Sequence, residues 1–191
     1  HSCLTAVELD RLPLACIGMD ASTASVGDGK PPKVILVIGG CGYVAQFLLQ
    51  SLLERAGEFT IHATHRPGRS LEQMPREVVQ WHELQPSKAP EVEAVMAKVS
   101  PDVVVNCSAM SNLKQCEADP AAADEANCPQ ALLEALQRAG MKRSLLFIHF
   151  STDIVFDGNP ERVYTEESVA EPVNAYGRSK LKFDALVVAC E

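Results

Sequence analysis

The sequence predicts an α/β chain, with an open parallel sheet wound in both directions and helices on its faces. Three observations predict it. From residue 33 onward, short runs rich in β-branched residues alternate with longer amphipathic runs, the order expected of strand–helix–strand crossovers. The strand runs are apolar through their middles rather than alternating, as in VILVI (34–38) and DVVVN (102–106), so both faces of those strands are covered. Glycines cluster directly after the first of these strands, where a tight turn must lead into a helix.

In order, residues 1–32 read as a leader. Ala21–Pro32 is rich in Ser, Gly, Ala and Pro and is expected to be a flexible linker. Pro13–Met19 is apolar but short and follows no basic stretch, which argues against a secretory signal. Val34–Ile38 is the first strand, and Tyr43–Ala56 a helix with Val44, Phe47, Leu48 and Leu52 at helical spacing. Phe59–Ala63 and Val78–Leu84 are the second and third strands. Glu91–Val99 is a crossover helix, broken by Pro101. Asp102–Asn106 is the fourth strand, Asp124–Ala139 a helix ended by Gly140, and Leu145–Phe150 the fifth strand, in which His149 reads as a packed histidine. Tyr176–Ala189 is the final helix.

With 191 residues, 47% of them apolar, the chain suffices for one domain over 33–191 with its own core. A net charge of −8 argues against nucleic acid and against an anionic membrane surface as partners, and no apolar run approaches membrane-span length. Seven cysteines are scattered without a C-x-x-C pair, the pattern of reduced thiols in a cytoplasmic protein rather than of a metal site.

The stretch VIGGCGYVA (37–45) fits two glycine patterns, Gly40-x-Gly42-x-x-Ala45 and Gly39-x-x-Gly42-x-x-Ala45. Between a buried strand and a helix, either one suits a dinucleotide diphosphate, which needs backbone N–H groups and a helix N-terminus at close range. Strand two is followed by His65 and Arg66, with no acidic residue to bond a ribose 2′-hydroxyl. Arg66 therefore favours NADP, with NAD still possible. Ser108 and Ala109, after strand four, are small enough for a cofactor to lie against the backbone.

The fifth strand runs into Ser151 and Thr152, at the carboxyl edge where ligands bind in such sheets. Downstream, NAYGRSK (174–180) opens the last helix with Tyr176 and Lys180 four apart on one face. A free tyrosine titrates near 10, and a neighbouring ammonium should lower that value and make it useful in proton transfer.

These stretches, together with PDVVVNCSA (101–109), STDIVFDG (151–158) and YTEES (164–168), resemble the extended branch of the short-chain dehydrogenase/reductases, and most closely the dTDP-4-dehydrorhamnose reductase family, from about Lys33 onward. The resemblance implies a Rossmann-type doubly wound sheet and NADPH-dependent reduction of the C4 ketone of a nucleotide-linked 4-keto-6-deoxy sugar, as in dTDP-rhamnose biosynthesis. It implies Tyr176 as proton donor, Lys180 lowering its pKa and holding the nicotinamide ribose, and Thr152 as the hydroxyl member, with Ser151 the alternative. It implies cofactor contacts at Gly39, Gly42, Tyr43, Val44, Arg66, Leu84, Ser108, Ala109, Tyr176 and Lys180. Ala45 and Ile154 depart from the family's usual glycine and tyrosine. The family's chain continues past residue 191, so this sequence reads as truncated before the nucleotide-sugar lobe; taken as a complete chain, it would leave its fifth strand as an exposed edge.

Two other readings share the resemblance. One is an NADP-binding regulatory subunit, like the β subunit of methionine adenosyltransferase, with the catalytic subunit of that enzyme or a second copy as partner. The other is a nucleotide-sugar epimerase. A 4,6-dehydratase is disfavoured, because Asp153 is followed by Ile154 rather than an acid.

Overall fold

A computed structural model describes residues 4–8, 31–55 and 57–190. In chain order the strands and helices are β1 (Leu4–Glu8), β2 (Lys33–Ile38), α1 (Tyr43–Leu53), β3 (Phe59–His65), β4 (Gln80–Glu83), α2 (Ala89–Val99), β5 (Val103–Asn106), α3 (Leu113–Ala118), α4 (Pro120–Asn127), α5 (Gln130–Gly140), β6 (Leu146–Phe150) and α6 (Ala175–Val188).

The strands lie in the order β1-β6-β5-β2-β3-β4, with β2 to β6 all parallel. From β2 the chain winds outward through β3 to β4, then returns to the other side of β2 and winds the opposite way through β5 to β6. This reversal places a crevice between the carboxyl ends of β2 and β5, the position at which ligands bind in doubly wound sheets.

Alternation along β2 sorts its side chains into two layers. Leu36 and Ile38 pack with α2 (Val92, Met96), α5 (Leu132, Leu136) and α6 (Phe183, Val187). Ile35 and Val37 pack on the opposite face with Ala45 and Leu49 of α1. Leu36, Val37 and Ile38 have no accessible surface, as the apolar run requires. Burying one such side chain is worth about 1.5–3 kcal/mol.

Two expectations change. The helix expected over 124–139 is two helices, because Pro129 has no N–H to give the ladder; it stands instead immediately before α5. A short additional helix, α3, starts where the Asn112 side chain accepts from the Gln115 N–H at 3.1 Å. Helix α2 begins two residues early, since Pro90 fits its first turn.

Leu4–Glu8, within the expected leader, forms β1 and pairs antiparallel with β6, Leu4 opposite Phe150 and Glu8 opposite Leu146. The β6 edge expected to be bare is thus hydrogen-bonded, as an open row of N–H and C=O groups favours. The remainder of the leader, 9–30, lies outside the described residues. No helix among the described residues is long and apolar enough to cross a membrane.

Candidate cofactor and active site

Gly39 follows β2 with φ +76°, a conformation glycine adopts without strain. A Cβ there would also lie 2.9 Å from the Cα of Ser108. The glycine turn therefore packs directly on the loop after β5, closing the floor of the crevice. Its N–H groups are anchored on β3: Gly39 donates to Thr64 Oγ1 at 3.0 Å and Gly40 to the Thr64 carbonyl at 2.8 Å. The indole of Trp81 and the methyl of Ala63 occupy the space beside Gly40.

Gly42 immediately precedes α1, which has no side-chain cap. Its first-turn N–H groups, from Tyr43 onward, are left as donors for an anion. The Tyr43 and Val44 side chains are exposed, and their backbone N–H groups are among these donors. Ala45 is fully buried against the sheet, where a side chain larger than its methyl would push helix and strand apart. This turn, glycine where the backbone must approach and bare N–H groups beyond it, fits a dinucleotide diphosphate.

Arg66 is exposed directly after β3, with its carbonyl accepting from His65 Nδ1 at 3.0 Å. Ser108 and Ala109 follow β5 at the same edge, and Ser108 donates from both its N–H and its hydroxyl to Asn106 Oδ1, at 3.1 and 2.7 Å. Leu84 departs from expectation. It follows β4 at the correct edge, but its side chain is buried in the core with Leu36 and Val92. Only its backbone remains for a cofactor, and its N–H is already given to the His65 carbonyl at 2.9 Å.

Helix α6 delivers the second half of the site. The Asn174 side chain caps it by accepting from the Gly177 N–H at 2.8 Å, and Glu117 of α3 accepts from the Ala175 N–H at 2.5 Å. At the end of β6, Thr152 caps a 3₁₀ turn, Asp153–Val155, accepting from the Ile154 N–H at 3.3 Å. The Ser151 hydroxyl is turned away to Asp184 Oδ2. The Thr152 hydroxyl, which donates to Asp153 Oδ1 at 3.2 Å, is the one left near Tyr176. Burial pushes the Tyr176 phenol above its ordinary pKa, its hydrogen bond with Thr152 pulls it back, and the charges of Asp153 and Asp184 push it up again.

Lys180 is almost entirely buried. Its amino group donates to the Phe150 carbonyl at 2.6 Å and lies 2.9 Å from His149 Nε2. Burial pushes its pKa down to about 8, opposed by the charge of Asp184. The expectation of a lysine lowering the tyrosine's pKa is not what the geometry gives. The amine is committed to β6, and the phenol titrates high rather than low.

Four residues that hold this arrangement were not singled out for it in the sequence: Asn106, His149, Gly177 and Asp184. Gly177 carries the clearest signal, because glycine in the first turn of a helix costs about 1 kcal/mol relative to alanine and so marks a close approach. Among the described cysteines, Cys41, Cys107, Cys116, Cys128 and Cys190 are free. The Cys107 thiol is pushed up to about 12 by burial. Among the described residues no cluster of His, Cys, Asp or Glu is arranged to hold a metal.

The family model of the RmlD substrate binding domain matches residues 33–191. The chain is 38% identical over 99 residues to a dTDP-4-keto-6-deoxy-D-glucose reductase of Streptomyces niveus, a match covering 52% of this chain and 34% of that protein. Its fold superposes on a hypothetical dTDP-4-dehydrorhamnose reductase of Sulfolobus tokodaii with a TM-score of 0.63 at 29% identity, over 78% of this chain and 50% of the other. It also superposes on a UDP-glucose 4-epimerase of Thermus thermophilus in complex with NAD, with a TM-score of 0.67 at 20% identity, over 82% and 50%. The chain spans a third to a half of the length of these proteins.

Proposed function

We infer that the function follows the family, since the chain belongs to the RmlD substrate binding domain family. We propose that it is the cofactor-binding and catalytic half of an NADPH-dependent reductase acting on the ketone of a nucleotide-linked 4-keto-6-deoxy sugar. The observation that carries this is the packing of the first turn of α6, which bears Tyr176, on the turn that Thr152 caps at the carboxyl end of β6, on the same sheet edge as the glycine turn after β2.

A nicotinamide cofactor, when bound, supplies the hydride. The chain's own residues handle the oxygen. The Thr152 hydroxyl donates a hydrogen bond to the ketone oxygen and orients it. Tyr176 gives its phenolic proton to that oxygen as the carbonyl carbon gains the hydride, so the products are an alcohol and a tyrosinate. The raised pKa of Tyr176 suits a donor that must reach the substrate still protonated. Lys180, at about 8, carries a proton at neutral pH on the same helix face as Tyr176.

For the cofactor, Gly39, Gly42 and the first N–H groups of α1 would hold the diphosphate, and Ser108 and Ala109 would flank it. Arg66, in a stretch without a carboxylate, supports NADP over NAD through attraction to a 2′-phosphate. The test is turnover of dTDP-4-dehydrorhamnose with NADPH by the purified protein. Consumption of NADPH with appearance of the alcohol supports the reading. Interconversion of 4-epimers without net NADPH loss replaces it with an epimerase.

A further inference from the structure

The buried polar residues beneath the site form a directed series. His149 is 1% exposed and Asn106 2%, so each of their hydrogens needs an acceptor. The assignment is readable from the far end. Asn106 Oδ1 accepts from the Ser108 backbone N–H at 3.1 Å, and a backbone N–H can only donate. The Asn106 oxygen therefore faces Ser108, and its NH2 faces His149 Nδ1, 3.2 Å away. An amide NH2 also only donates, so Nδ1 is bare and the neutral ring carries its proton on Nε2. That N–H has two acceptors within reach: Asp184 Oδ1 at 3.4 Å, otherwise without a hydrogen-bond partner, while Lys180 is an ammonium, and Lys180 Nζ at 2.9 Å once the amine has lost its proton.

We infer that His149 is a positioning residue for Lys180, delivering a ring N–H to its amino group through a hydrogen-bond chain that starts at Ser108. The inference rests on the proposed place of Lys180 in the catalytic set. It ties the lysine to the loop that packs on Gly39, so the cofactor cradle and the amine share one rigid series. A nitrogen accepts an N–H only through its lone pair. The series therefore favours the unprotonated amine, in the same direction as burial. The charge of Asp184 on α6 opposes it. Asp184 is the one further titratable group, among the described residues, that acts on both members of the pair.

The experiment is nitrogen NMR of the histidine rings of the full chain, together with titration of the Lys180 side chain by its carbon shifts. The expected result is His149 with its proton on Nε2 at neutral pH and Lys180 titrating near 8. Asn106→Leu, similar in shape and uncharged, removes the donor that fixes the ring and should raise the Lys180 titration by about one unit, a tenfold change. Asn106→Asp should move the ring proton to Nδ1. A wild-type ring protonated on Nδ1, or an unchanged Lys180 titration in folded Asn106→Leu, overturns the inference. Should the variants fail to fold, the wild-type ring decides alone. Neither readout depends on turnover. A protein that binds no substrate would end the reductase reading and leave this result standing.

Discussion

The carbonyl oxygen of Ile154 stands where a Cβ on Gly177 would be. The absence of a side chain there lets the first turn of α6 settle directly onto the loop that follows β6. Tyr176, one residue earlier, is thereby brought beside the turn that Thr152 caps. The family resemblance names Tyr176, Lys180 and Thr152, but the contact between helix and loop is made by the glycine between them.

Gly177→Ala is therefore expected to destabilise, although the same change in an open helix stabilises by about 1 kcal/mol. The methyl must displace both the backbone at Ile154 and the Pro172 ring, and overpacking of this kind costs about 1–3 kcal/mol. Denaturant midpoints of the two proteins measure it. Turnover should fall further than stability, because the displacement separates Tyr176 from Thr152.

Tyr176→Phe removes the proton donor and leaves the shape of the site. The expected loss in kcat is about 10²–10⁴-fold, the usual contribution of a positioned acid, with KM and NADPH affinity nearly unchanged. Steady-state kinetics separate the two. Turnover retained within threefold of wild type takes Tyr176 out of the catalytic role.

The sequence made the parallel strands and the glycine turn legible because both obey local rules. Continuous apolar runs give buried strands, and a turn needing φ near +76° at Gly39 selects glycine. What it hid depends on distant partners. His149 reads as a packing residue within β6, and only the fold brings Lys180, 31 positions later, to its ring. Leu84, which the resemblance names as a cofactor contact, has its side chain in the core beside Val92 of α2, a placement set by how α2 packs. Residues 4–8 carry no signal beyond a short β-prone run, and their pairing depends on an edge formed more than a hundred residues downstream.

Arg66 is expected to set cofactor preference. Arg66→Asp replaces an attraction to a 2′-phosphate with a repulsion and supplies an acceptor for a free 2′-hydroxyl. The ratio of NADPH to NADH affinity should fall at least tenfold, measured by fluorescence titration with each cofactor. An unchanged ratio removes Arg66 from the account.

Three buried histidines give the fold an acid-sensitive side. His62 Nδ1 lies 2.9 Å from His82 Nε2, and burial is the first cause holding His62, His82 and His149 below their ordinary pKa. Unfolded, each takes up a proton near 6.5; folded, each resists until lower pH. The unfolded state thus binds more protons in this window, and stability falls as pH drops below about 6.5, by up to ~1.4 kcal/mol per unit per histidine. Above that pH the contribution is fully present. Denaturant midpoints between neutral and mildly acidic pH should show the slope, and His62→Leu with His82→Leu should flatten it.

The central claim is that the edge between β2 and β5 holds a nicotinamide dinucleotide, and the thermal stability of the protein with and without cofactor tests it most directly. A ligand bound only to the folded state adds about 2.7 kcal/mol at a hundredfold excess over Kd. The account predicts a clear upward shift in Tm with NADPH, a smaller one with NADH, and loss of both when Gly42 is replaced by a bulky residue. A cooperative transition that ignores both cofactors at saturating concentrations would contradict it.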